Sequence, residues 1–248
     1  MSRGAGSGGI PYVDSFAVVL GNLPAAEQNV RFLEKDMNRC FQQQTPQCLE
    51  DRLAQELLPI IDRSHFLIDL HQTRVETVSD FFIFPNSPLN VAWASSICQS
   101  TPIITHGLEF SADGQTSDIY GSINGTVAIT YEMGERGFSP KQIAKTAELL
   151  KAAYLATGQT IELKPAAAVF EYGQAIASGK RRALVPDLVN MSEVRQGQVI
   201  GYDGEEPILV KEDGYVLFPK YGEQARASSE LCQFAQRTTH TVQPDKIS

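Results

Sequence analysis

Three short apolar runs, Phe66–Leu70, Pro102–Thr105 and Val127–Tyr131, alternate with segments of helical spacing. Runs of four or five apolar residues read as buried strands, and strands alternating with helices argue for an α/β domain on a mostly parallel sheet. A fourth run, Phe16–Leu20, is rich in valine and reads as another buried strand, closed by the turn signal Gly21-Asn22-Leu23-Pro24. Leucines at 49, 53 and 57 mark a helix that Pro59 should kink or end. The clearest helix follows Val127–Tyr131. Ser139 is a good N-cap, Pro140 sits at the first helical position and Gln142 completes an S-x-x-Q capping box. Ile143, Ala147, Leu150 and Tyr154 repeat at helical spacing up to a stop at Gly158.

Past Gly158 the texture changes. Turns recur at Gly173, Gly179, Gly197, Gly201–Gly204 and Asp213-Gly214, separated by short β-type segments such as Gln198–Tyr202, Ile208–Lys211 and Tyr215–Phe218. That pattern predicts a small all-β domain appended to the α/β domain. The expected organisation is a linker-like stretch over 1–10, an α/β domain over 11–160, a β domain over 161–235 and a polar tail over 236–248.

The chain is long enough to bury a real core, with 248 residues of which 42% are hydrophobic and 20% charged. A net charge of −8 argues against nucleic acid as a partner. No stretch approaches the roughly 20 apolar residues of a membrane span, and residues 1–9 do not read as a secretory signal. Cys40, Cys48, Cys98 and Cys232 match neither a zinc ribbon nor a disulfide framework and read as free thiols. A cytoplasmic protein is the expectation, and a homo-oligomer stays open.

In open α/β sheets, ligands bind beyond the carboxyl ends of the strands. His71 follows Phe66–Leu70 and Glu132 follows Val127–Tyr131, so both point to one sheet edge. A histidine and a glutamate in one crevice suit a metal ligand and a general base for hydrolysis; equally, Asp69 and His71 can simply cap a strand. Arg31, Asp36, Asn38 and Arg39 fall within nine residues. Two guanidinium groups can clamp a carboxylate in bidentate fashion, with Asp36 holding one of them, or the cluster is solvated surface charge.

These residues lie in three segments, GNLPAAEQNVRFLEKDMNR (Gly21–Arg39), IDLHQT (Ile68–Thr73) and ITYEMGERG (Ile129–Gly137). In that order they resemble the succinylglutamate desuccinylase/aspartoacylase family, relatives of the zinc carboxypeptidases. LVPDLVNMSEVRQGQVIG (Leu184–Gly201) and DGYVLFP (Asp213–Pro219) are similar to the family's C-terminal β domain. The resemblance covers about residues 16–235 and implies a carboxypeptidase-like α/β/α domain with a small all-β domain. It implies zinc-dependent hydrolysis of an amide bond in an N-acyl amino acid or similar small carboxylate. His71 is then a zinc ligand and Glu132 the base that activates water and later the acid for the leaving amine. Arg31 polarises the scissile carbonyl or its oxyanion, Asn38 and Arg39 bind a substrate carboxylate, and Tyr221 completes the pocket.

The family takes its first two zinc ligands from an H-G-x-E motif upstream of the G-N segment, and residues 1–20 contain neither histidine nor glutamate. Three explanations stand: a chain that lacks the preceding segment and the first strands of the sheet, a degenerate relative acting as a binding or structural protein, or ligands drawn from elsewhere. For the last, His106-Gly107-Leu108-Glu109 has the H-G-x-E form but follows the D-L-H motif, against the family order, and a coincidental strand end is the plainer reading. A lipoyl- or biotin-carrier role for the C-terminal region finds no attachment motif.

Overall fold

The computed structural model describes residues 15–42, 45–108, 115–135, 137–157 and 169–237. Its strands are β1 (Phe66–Thr73), β2 (Phe81–Pro85), β3 (Ile103–His106), β4 (Val127–Glu135), β5 (Val169–Tyr172), β6 (Ile176–Ala177), β7 (Arg182–Leu184), β8 (Ser192–Val194), β9 (Val199–Asp203), β10 (Glu206–Leu209), β11 (Gly214–Leu217) and β12 (Glu230–Arg237). Its helices are α1 (Leu23–Glu27), α2 (Leu49–Arg63), α3 (Pro88–Ile97), α4 (Ser117–Ile123), α5 (Pro140–Ala156) and α6 (Gly222–Ala227).

The expected mixed α/β architecture is present. The main sheet has the order β1-β4-β2-β3-β5-β12-β11-β8, with β6 pairing β12; β10-β9-β7 form a second, three-stranded sheet. β1 pairs β4 in parallel, β4 pairs β2 antiparallel, and β2, β3 and β5 continue in parallel. β5 then pairs β12, so the C-terminal β part runs on from the main sheet. The core between this sheet and helices α3 and α5 contains Phe82, Phe84, Trp93, Ile103, Ile129 and Tyr131, all buried. Asn190, fully buried, ties the two parts together. Its side chain reaches the carbonyls of Val75 and Glu76 and accepts the Phe218 amide at 2.6 Å, and its carbonyl accepts the Val78 amide.

Two local expectations differ from the structure. Phe16–Leu20 is not a strand, and Phe16 and Val18 are 80% and 79% exposed. An apolar run becomes a strand only when a neighbour takes up its N–H and C=O groups. Among the described residues β1 ends the sheet and pairs only with β4, and the Phe16 ring instead meets Tyr154 edge-on at 6.1 Å. The α5 helix forms as read; its stripe at Ile143, Leu150 and Tyr154 faces outward, and Leu149, Ala153 and Ala156 are the buried residues. Finally, α2 runs through Pro59 to Arg63. Proline forfeits one backbone hydrogen bond there, and burial of Ala54 and Ile61 against Met37, Cys40 and Phe41 offsets the loss. The Ser139 cap is as read, its side chain accepting the Gln142 amide at 3.3 Å. The four cysteines are free thiols. The linker over 1–10, the stop at Gly158 and most of the tail lie outside the described residues.

One buried charge secures the loop before α2. Glu50 is fully buried and accepts hydrogen bonds from the amides of Leu33 (2.6 Å) and Lys35 (3.2 Å) and from Asn22 Nδ2 (3.2 Å). Burial acts to raise this carboxyl, but the donors outweigh it and hold it below its usual 4.5. Because the folded value is depressed, its contribution is present above pH 4.5 and is lost as pH falls through the folded value. Glu50→Ala is expected to cost about 2–3 kcal/mol at neutral pH by denaturant unfolding. Glu50→Gln should narrow its deficit relative to wild type as the pH is lowered through that range.

Candidate active site

The parallel pairing of β1 with β4 sets His71 directly beside Glu132, at the carboxyl ends of both strands. Asp69, two residues before His71, projects from the same face because side chains alternate along a strand. The His71 ring lies between two carboxylates, with Nδ1 3.4 Å from Glu132 Oε1 and Nε2 3.1 Å from Asp69 Oδ2. Burial acts to lower the His71 pKa, but Asp69 first and then Glu132 override it and hold it well above 6.5. Burial likewise raises Asp69, and the His71 charge, the Ser117 hydroxyl and the Arg31 charge bring it below its ordinary value. The pairing register shifts after His71, and Gln72 donates its side-chain amide to the Gly137 carbonyl at 2.8 Å. On β4, Gly134 follows at φ +105°, where a Cβ would also meet Gln142 Nε2 at 2.9 Å, so only glycine fits this bend.

A loop and a helix close around this pair. Asp36 caps a 3-10 turn over Met37–Arg39 by accepting the Asn38 amide at 3.1 Å, and binds Arg31 through Nε at 3.0 Å and a second guanidinium nitrogen at 2.7 Å. Burial raises the Asp36 carboxyl and the Arg31 guanidinium more than reverses it, leaving it below the ordinary range. Asn38 Oδ1 accepts the Ser117 amide at 2.9 Å, and its Nδ2 stands 3.4 Å from His71 Nε2. Ser117 Oγ, at the start of α4, donates to Asp69 at 2.6 Å. Arg39 donates to the Asn38 carbonyl at 2.6 Å. A groove of about 500 Å³ beside this cluster is lined by Arg31, Gln72, Arg74 and Phe138.

The structure therefore brings together five of the residues singled out from the sequence, Arg31, Asn38, Arg39, His71 and Glu132. Tyr221 belongs elsewhere: its hydroxyl donates to the Leu188 carbonyl at 2.8 Å within the C-terminal β part. His106 is buried, with Nδ1 2.8 Å from the Gly107 carbonyl and Nε2 3.8 Å from Asp118, and β4 and β2 stand between its strand and that of His71. Glu109 lies outside the described residues. Sequence reasoning did not assign Ser117 and Arg74, which no motif marks. It gave Asp69 only a capping role, although its place two residues before His71 was the available signal.

A family model for the succinylglutamate desuccinylase/aspartoacylase catalytic domain matches residues 12–157. The chain belongs to this family. No curated protein matches it. Among solved structures it is similar to a succinylglutamate desuccinylase from Vibrio cholerae, with 17% identity over 90% of this chain and 70% of that one and a TM-score of 0.68. Similar too is the enzyme of that name from Chromobacterium violaceum, with 20% identity, 89% and 73% coverage and a TM-score of 0.66. A product-bound ectoine utilization protein from Ruegeria pomeroyi gives 15%, 88%, 73% and 0.64. At such identities the structural likeness speaks for the fold, and the family model for the family.

Zinc, which the resemblance to the desuccinylase/aspartoacylase family implies at His71, meets a poor donor set. A hydrolytic zinc takes three protein ligands. Here the one imidazole is held between Asp69 and Glu132. Among the described residues, no grouping of three donors within 4.8 Å of one another includes His71. These residues do not fit a zinc centre by themselves. In the metal-free protein His71 is expected to titrate well above pH 6.5 by NMR, and Asp69→Asn should bring that midpoint down. Because the folded value is raised, the stabilisation from this charge is complete below pH 6.5 and lost as pH rises through the folded midpoint.

Proposed function

We propose that this chain acts on the amide bond of an N-acyl amino acid or a similar small carboxylate, as a hydrolytic deacylase. The observation that carries the reading is the placement of His71 and Glu132 side by side at the strand ends, facing the loop of Arg31, Asn38 and Arg39. The family supports a deacylase, and the solved structures it resembles include succinylglutamate desuccinylases.

In this proposal Glu132 takes a proton from the water that attacks the amide carbon and returns it to the amine as the C–N bond breaks. The products are a carboxylate and a free amine. Arg31 sits where its charge can stabilise the developing oxyanion, and its bond to Asp36 keeps the guanidinium oriented. Asn38 and Arg39 meet the substrate carboxylate, and Arg74, which lines the groove with Arg31, offers a further cation to it.

The poor fit to zinc favours a second reading, in which the chain keeps the fold and the carboxylate-binding loop without turnover. A panel of N-succinyl-, N-acetyl- and N-formyl-amino acids, assayed with and without added zinc, separates the two. Turnover of any of them that falls about 10²–10⁴-fold in Glu132→Gln supports the deacylase. Ligand binding by calorimetry with no turnover under any metal supply sinks the deacylase and leaves the binding protein. Arg74→Ala is expected to weaken binding of the acylated amino acid about tenfold, the loss of one charge-assisted contact.

A further inference from the structure

Away from His71, Cys40, Cys48 and Asp51 converge. Their Sγ and carboxylate atoms all lie within 4.8 Å of one another. Three features of this group are not explained by packing. Asp51 is 1% exposed; its Oδ2 accepts the Gln47 amide at 2.9 Å, its Oδ1 has no close donor, and the Cys40 and Cys48 thiols turn toward the carboxylate. Lys35 Nζ approaches Oδ1 to 3.7 Å, an ion pair without a hydrogen bond. Cys48 occupies the N-cap of α2, a position that favours Ser, Thr, Asp or Asn, yet its side chain makes no capping bond. The thiol and the carboxylate both sit at the positive end of a 15-residue helix, where anionic donors are stabilised.

We propose that Cys40, Cys48 and Asp51 form a binding site for a thiophilic divalent cation of the zinc type, separate from the candidate active site. Two thiolates and a carboxylate suit such an ion, with water on the half-exposed Cys48 side as the fourth ligand. Tetrahedral zinc with about 2.3 Å bonds to sulfur sets its donors a little under 4 Å apart, so a contraction of at most about 1 Å closes the group. The two thiolates and the carboxylate carry three negative charges, which the cation and Lys35 balance. Both thiols must bind as thiolates, so metal binding releases protons and strengthens with pH.

The site also has a position that matters. Cys40 directly follows Arg39 and closes the 3-10 turn, its amide donating to the Met37 carbonyl at 2.9 Å. Asp51 adjoins Glu50, which holds the amides of Leu33 and Lys35. A cation here pins the end of the Arg31–Arg39 loop to the first turn of α2. It is a structural clip for the loop that presents Asn38 and Arg39, and this last step rests on the substrate-binding role proposed for them.

Cobalt(II) titration of the reduced full chain tests the site by its own signal. Thiolate ligation gives an intense near-ultraviolet charge-transfer band that histidine and carboxylate ligation lack. The expected result is a band that saturates at one cobalt per chain, is displaced by zinc, persists in His71→Ala and Cys98→Ser, and is lost in Cys48→Ser. Asp51→Asn should weaken cobalt binding tenfold or more. In the wild-type chain, zinc should slow alkylation of Cys40 and Cys48 but leave Cys98 unchanged by peptide mass spectrometry, a readout independent of how the variants fold. No thiolate band, a band unchanged in Cys48→Ser, or equal protection of Cys98 overturns the site. So does a Cys40–Cys48 disulfide that forms in air with zinc present in excess. None of these readouts depends on deacylase activity, so the site and the proposed function fail separately.

Discussion

Asp69 Oδ2 receives two donors at once, Ser117 Oγ at 2.6 Å and the His71 ring at 3.1 Å. Through Ser117 it fixes the first turn of α4, and through His71 it fixes the end of β1 against Glu132 on β4. The Ser117 amide in turn binds Asn38, which carries the loop of Arg31 and Arg39. A strand, a helix and a loop that are far apart in sequence are thus joined at one carboxylate. Buried charges are tolerated only when paired and hydrogen-bonded, and every partner here is supplied by a different element. Removing Asp69 would leave the Ser117 hydroxyl and the Nε2 side of the His71 ring without their acceptor.

Much of this was legible in the sequence. A strand that ends in D-L-H and another that ends in Y-E put both residues at one sheet edge as soon as the two runs are taken as parallel strands, since side chains alternate with a period of two. The Arg31–Arg39 segment was legible as a charged loop after the turn at Gly21–Pro24, with two guanidinium groups and Asp36 to hold one of them. The tertiary partners were not. Ser117 reaches Asp69 across 48 positions and Asn38 across 79, and a serine at the start of a helix has no local pattern that marks such a contact. Tyr221 was named only through the resemblance, and its hydroxyl bonds the Val185 and Leu188 carbonyls of the C-terminal β part.

The absence of a strand at Phe16–Leu20 and the choice of buried face on α5 share one physical cause. Periodicity identifies faces, but burial is decided by what lies opposite. α5 has one apolar stripe at Ile143, Ala147, Leu150 and Tyr154 and a second at Leu149, Ala153 and Ala156. The second faces the buried core of Trp93 and Ile129 and so is covered; the first is not. Phe16–Leu20 has strand composition, but no ladder receives it beside β1. Composition predicts what a segment can do once a partner exists, and the partner is a property of the whole fold.

Charge at the site runs against charge of the chain. The net balance is −8, which at long range repels a carboxylate ligand. At physiological salt that field is screened within about 8 Å, so the groups that line the groove decide the outcome. Arg31 and Arg74 face it directly, and the negative groups nearby are already committed: Asp36 to Arg31, Asp69 and Glu132 to His71. Asp36 balances Arg31, and the His71 imidazolium balances one of Asp69 and Glu132. Among the described residues the groove lining itself carries two guanidinium groups and no carboxylate, a local positive bias inside an acidic protein. Such a bias fits a small acidic ligand, and discriminates against an amine of the same size by like-charge repulsion.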